Sequence, residues 1–100
     1  MSSTVLSTAL SGLNAASTRL DTAAHNIANA QTPGFHRQEV VQTAQPEGGV
    51  RVEVQRAPQQ GVDLAQDIIT QLSASYTYKA NLQVVETASE MTGTLLDTRA

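Results

Sequence analysis

The chain has no cysteine and no tryptophan, and its only aromatic side chains are Phe35, Tyr76 and Tyr78. Without cysteine there are no disulfides, no zinc ribbons and no thiol chemistry. Such a chain can cross an oxidising space without being trapped there. Basic residues are also few: six, scattered through a chain of net charge −3. Nucleic-acid binding calls for a basic patch with stacking aromatics, and no such cluster forms, so no nucleic-acid partner is expected. No apolar run approaches the ~20 residues that span a bilayer, so no membrane insertion is expected either. The N-terminus lacks a basic segment leading into an apolar stretch, which argues against a general secretory signal. Bulky apolar residues are scarce: Ile, Leu, Val and Phe together make 22 of 100. That is close to the level below which chains stay disordered. Much of the remaining hydrophobic content is alanine, which buries little area per residue. The composition therefore implies one small domain, marginal when alone, whose missing burial is supplied by partners.

Reactive constellations are missing as well. His25 and His36 are the only histidines, and no cluster of His, Cys and Asp has metal-ligand spacing. They read as a solvated helical histidine and a loop histidine. No glycine-rich loop has phosphate-cradling spacing; Gly48-Gly49 is a turn. Nothing supplies a strand–turn–helix nucleophile elbow. Asp63 and Asp67 lie one turn apart at a helix start, where capping explains them better than acid–base work. No enzymatic activity, cofactor, metal or small-molecule substrate is expected.

What the sequence does contain is periodicity. From about Ser3 to Ala30, Leu6, Leu13, Leu20 and Ile27 recur every seven residues, with Ala9, Ala16, Ala23 and Ala30 three residues behind. This is a heptad stripe with large residues at one seam position and alanine at the other. Leu10 and Ala24 widen it, and Ser7, Ser11, Asn14, Thr18 and Asp21 form the opposite face. The helix would be ~40 Å long, and its alanines would let a partner backbone come close. Pro33 ends it, and Pro33-Gly34 suits the centre of a type II turn. Asn26 and Asn29 sit on the last turns, where amides can satisfy orphan carbonyls or neighbouring chains.

The middle of the chain reads as strand. Val50–Arg56 alternates strictly, with three valines on one face; Glu39–Thr43 is its partner, and Pro46-Glu47-Gly48-Gly49 is the turn. A lone two-stranded hairpin is marginal in water and must lean on something. After a second break at Pro58–Gly61, Asp63 reads as an N-cap with Gln66 reaching back to it. A second helix follows from about Leu64 to Asp97, ~50 Å long. Its apolar stripe runs through Leu64, Ile68 and Leu72, then Tyr78, Leu82, Val85 and Leu96, flanked by Met91 and Leu95. Gly93 weakens its last turn.

The run Asn26-Ile27-Ala28-Asn29-Ala30-Gln31-Thr32-Pro33-Gly34-Phe35 resembles the N-terminal motif of bacterial flagellar axial proteins, the group of rod, hook and hook-associated proteins. Ala9 through Ala16 and Leu20-Asp21 fit the same pattern. Ser73-Ala74-Ser75, Tyr78-Lys79-Ala80-Asn81, Thr87–Met91 and Leu95-Leu96-Asp97 are similar to the family's C-terminal motif. Residues 5–37 and 62–97 are covered. In layout the chain most resembles the proximal rod proteins, although it is short beside them. Its Phe35–Gln38 run is also similar to the first hook-filament junction protein, and residues 38–61 match no family element.

The resemblance implies terminal helices that pair within a subunit and pack with neighbours into a hollow shaft. It also implies export through the flagellar type III apparatus and residence in the periplasmic rod of the basal body. The expected fold is mainly α: two long antiparallel helices over residues 1–31 and 62–100, forming a coiled-coil-like hairpin. A turn and small β-hairpin over residues 32–61 would lie beyond one end. The expected assembly residues on the first helix are Leu6, Ala9, Leu10, Leu13, Ala16, Leu20, Ala23 and Ile27. On the second they are Leu64, Ile68, Leu72, Tyr78, Asn81, Leu82, Val85, Met91, Leu95 and Leu96. The turn motif comprises Asn26, Asn29, Thr32, Pro33, Gly34 and Phe35. Expected partners are other copies, related axial proteins and the export apparatus. A hook or junction relative, or a small secreted helical-hairpin effector or heterodimer partner, is the alternative.

Overall fold

In a computed structural model, Ser2–Ala28 forms helix α1 and Leu64–Arg99 forms helix α2. Between them Gln38–Ala44 and Val50–Arg56 form strands β1 and β2 of one antiparallel hairpin. The structure describes the backbone of residues 2–99 and the side chains of residues 4–91. The fold is mainly helical, with two long helices and a small hairpin between them in sequence. The helices run antiparallel: Asn26 meets Asp67, Arg19 meets Ser73, and Gly12 lies against Asn81.

Turn chemistry sets the helix ends. Gly34 has φ 71°, and the Phe35 N–H donates to the Thr32 carbonyl at 3.2 Å, closing a turn with Pro33 and Gly34 at its centre. Only glycine tolerates that φ without strain. Asp63 caps α2, its Oδ1 accepting from the Gln66 N–H at 3.1 Å. The Gln66 side chain does not reach back to it; it donates instead to Thr70 Oγ1 at 3.3 Å.

The seam between the helices differs from the expected one. Its α1 side carries the alanines Ala9, Ala16 and Ala23, all buried. These alternate with Gly12, Arg19 and Asn26, and not with Leu6, Leu13, Leu20 and Ile27, which stay half-exposed. On α2 the seam is Asp67, Ala74 and Asn81, again seven residues apart. Leu64, Ile68, Leu72, Tyr78 and Leu82 all point out of it. The reason is steric. Small residues on both sides allow close approach, and the polar members satisfy one another, so the pair turns its alanine stripe inward and its leucines aside. Among the described residues no bulky side chain is fully buried. Each seam alanine contributes about one methyl of burial, ~0.8 kcal/mol, which holds the pair weakly.

The hairpin does not lie beyond the helices. It folds back along α1, touching it with both strands, and lies farther from the described part of α2, with which it shares only open cavities. Ser11, expected on a solvent face, explains this. Its hydroxyl accepts from the Val50 N–H at 2.7 Å and donates to the Val50 carbonyl at 2.9 Å. At the other end the Asn26 amide does the same to Gln38, with both contacts at 2.9 Å. Each α1 side chain thus stands in for a strand partner at one hairpin edge. The spacings match: fifteen residues of helix cover ~22 Å, and the six rows from Gln38 to Ala44, opposite Val50, cover ~20 Å.

Candidate assembly surface

Three segments converge where α1 ends. Asp67, in the first turn of α2 and buried to 3 % exposure, receives Arg37 through two contacts, Nε–Oδ2 at 3.3 Å and Nη2–Oδ1. The Asn26 amide reaches the same carboxylate at 3.4 Å while holding Gln38. This differs from the capping role expected of Asp67; the residue is the anchor that ties α2 to the crossing chain. Its hydrogen bonds push the Arg37 pKa up; burial opposes them, and the charges of Asp67, Asp63 and Glu39 add to the rise.

The turn motif around this cluster is arranged residue by residue. Asn29 donates from Nδ2 to the His25 carbonyl at 2.9 Å, doubling the bond that its own N–H makes to the same oxygen at 3.1 Å. Thr32 Oγ1 donates to Asn29 Oδ1 at 3.2 Å. Phe35 returns against His25 with ring centroids 5.6 Å apart. His36 bonds the Ala57 carbonyl at 2.8 Å and bridges Gly61, so the loop histidine has a fixed place. The turn therefore sets where β1 begins.

Along the helices the expected residues separate into two groups. Ala9, Ala16, Ala23 and Asn81 lie in the seam, together with Asn26. Leu10, Leu64, Ile68, Leu72, Tyr78, Leu82 and Met91 are exposed, and Leu6, Leu13, Leu20, Ile27 and Val85 are half-exposed. Leu95, Leu96 and Gly93 fall outside the described side chains. Advancing 100° per residue, Leu13 and Leu20 come out on the side of α1 away from the hairpin, whereas Leu6 and Leu10 line a groove with Val50 and Val52. Leu64, Ile68 and Leu82 come out on the matching side of α2. The two rows share one face.

Sequence reasoning missed Gly12, Ser11, Arg37 and Asp67. Gly12 carried a signal: it continues the seven-residue series of small and polar seam residues with Arg19 and Asn26. Among the described residues no group of three or more His, Cys, Asp and Glu could hold a metal. No helix there is long and apolar enough to cross a membrane.

The fold and this surface define a helical-hairpin protein that keeps its small residues inside and its leucines outside. Residues 6–36 match the family model described as flagella basal body rod protein. That segment, from the apolar stripe of α1 through the Pro33-Gly34 turn, is what the chain shares with the rod family. No curated protein matches the chain.

Proposed function

We propose that this protein is a structural subunit of the flagellar rod that assembles with copies of itself and with related axial proteins through α1 and α2. The observation that carries this is the inverted burial of the chain. Among the described residues the buried apolar side chains of the helices are alanines, while Leu64, Leu72, Tyr78, Leu82 and Met91 stand in solvent. Each bulky side chain covered by a neighbour contributes ~1.5–3 kcal/mol, more than the internal seam gains per residue. Association is the mechanism, and the outward residues of both helices and the turn motif are its working parts. Passage through the type III export apparatus to the periplasmic rod follows from the family reading. The test is twofold. Mass spectrometry of purified hook–basal bodies should detect the chain in stoichiometric amount, and sedimentation of the pure protein should show association that grows with concentration. A chain absent from basal bodies and monomeric at hundreds of micromolar would overturn the reading.

A further inference from the structure

Part of the hairpin backbone faces α2 without touching it. The Ala57 N–H donates to the Arg37 carbonyl at 2.7 Å, and the Gln45 N–H to the Gly49 carbonyl at 3.1 Å. Bonded and unbonded pairs alternate along an antiparallel ladder. The N–H and C=O groups of Gln38, Val40 and Gln42 therefore all point away from β2. Asn26 meets those of Gln38. Among the described residues nothing bonds those of Val40 and Gln42. Val40 lines a cavity of about 230 Å³ with Thr22, Gln66 and Thr70. Gln42 lines one of about 370 Å³ with Thr77 and Asn81, and Arg19 belongs to both. On α2, Gln66, Thr70 and Thr77 are four and seven residues apart, which makes them one polar stripe along this trough. Thr22 is only 7 % exposed, and its hydroxyl has no partner among the described residues.

We propose that the trough is a water site, in which a row of ordered water molecules bridges the free edge of β1 to Thr22, Gln66, Thr70 and Thr77. The row ties the hairpin to α2 where no side chain spans the gap. Both walls supply what such molecules need. Two peptide N–H groups, two carbonyls and the Thr22 hydroxyl all require partners. The Thr70 hydroxyl, which accepts from Gln66, keeps its own hydrogen to give. Each cavity has room for several waters at ~30 Å³ apiece, and a bridging water serves nearly as well as a direct bond. Other occupants fit less well. In the first cavity Arg19 and Arg37 balance Glu39 and Asp67, so no net charge is left to hold an ion. With Gln38 taken by Asn26, two outward residues remain along the trough, too few to seat another strand.

Thr22→Val makes the test sharp, because the two side chains match in shape and both are β-branched. In a trough without water the change removes a buried hydroxyl that has no partner, and the urea midpoint should rise. Where that hydroxyl anchors a water, the midpoint should fall. Thr70→Val should lower it as well, and the double variant should lose less than the sum, since both hydroxyls hold one row. A second readout needs no variant. In the NMR spectrum of the wild-type chain, the Val40 and Gln42 amides should show cross-peaks to water, with the sign that bound, slowly tumbling molecules give. A midpoint raised by Thr22→Val would overturn the proposal. So would Val40 and Gln42 amides that show no cross-peak to bound water. Neither readout involves a second copy, so the association reading stands or falls apart from this one.

Discussion

Asn26 does with one amide what a neighbouring strand would do with a peptide group: it gives a hydrogen to the Gln38 carbonyl and takes one from its N–H. Asn26→Asp removes the donor and sets a carboxylate beside Asp67, whereas Asn26→Ala only leaves groups unpaired. Both should destabilise, by ~1–3 kcal/mol for the unmade bonds, and Asp should be the worse of the two in urea unfolding. Equal midpoints would mean that the amide does not position β1. The Arg37–Asp67 pair is asymmetric, because the carboxylate is almost fully buried and the guanidinium is 19 % exposed. Arg37→Leu therefore strands a charge that cannot reach water and should cost ~3–5 kcal/mol. Asp67→Asn frees an arginine that can swing out, and it should cost less. The reverse order would show that Asp67 relaxes to solvent. Because the Arg37 pKa is raised, its stabilisation is complete below the ordinary arginine value and fades only as pH climbs through the shifted one. Titration between neutral and moderately alkaline pH leaves this contribution in place.

At the scale of elements, the helices, the strands and both breaks were legible because each has its own period and its own stop. Leu6 through Ile27 announced a helix, Val50 through Val54 a strand, and Pro33-Gly34 a turn. Which face of α1 meets α2 was not legible. Leucine and alanine share the heptad, and only the partner decides which of them is inside. Gly12 holds the answer. A β-carbon there would sit 2.6 Å from Asn81 Oδ1, and that amide is already bonded to the Thr77 carbonyl at 3.0 Å. In an open helix Gly12→Ala would gain ~1 kcal/mol from propensity. In this seam it should lower the urea midpoint, and adding Asn81→Ala should restore it. A midpoint raised by Gly12→Ala alone would mean that the helices are not that close. The place of the hairpin was hidden for a similar reason: a serine on a polar face looks the same whether it meets water or Val50.

The whole molecule is 62 Å long and only 15 Å through its thinnest dimension, a shape with much surface and little interior. Its stability should depend on concentration, since whatever binds the folded form raises its apparent stability by mass action. Hydrogen exchange at low micromolar concentration should find α1 and α2 poorly protected, with protection rising as copies associate. Slow exchange across both helices in a dilute, confirmed monomer would point to a self-sufficient fold. The two clamps on the hairpin bear on how such a chain can change length. Ordinary surface loops gain and lose residues freely, but Ser11 and Asn26 hold the hairpin at points ~22 Å apart on a rigid helix. An odd number of added rows would turn the Val50 backbone groups away from Ser11. Two rows, ~7 Å, need about four helical residues and four rows, ~13 Å, about nine, which leave one clamp ~40° or ~180° out of phase. Eight rows against eighteen helical residues, about five whole turns, is the first combination that returns both, at ~27 Å each. Insertions and deletions here therefore have to arrive as large matched pairs, and a hairpin that looks like a loop should drift in length as little as the helix beneath it.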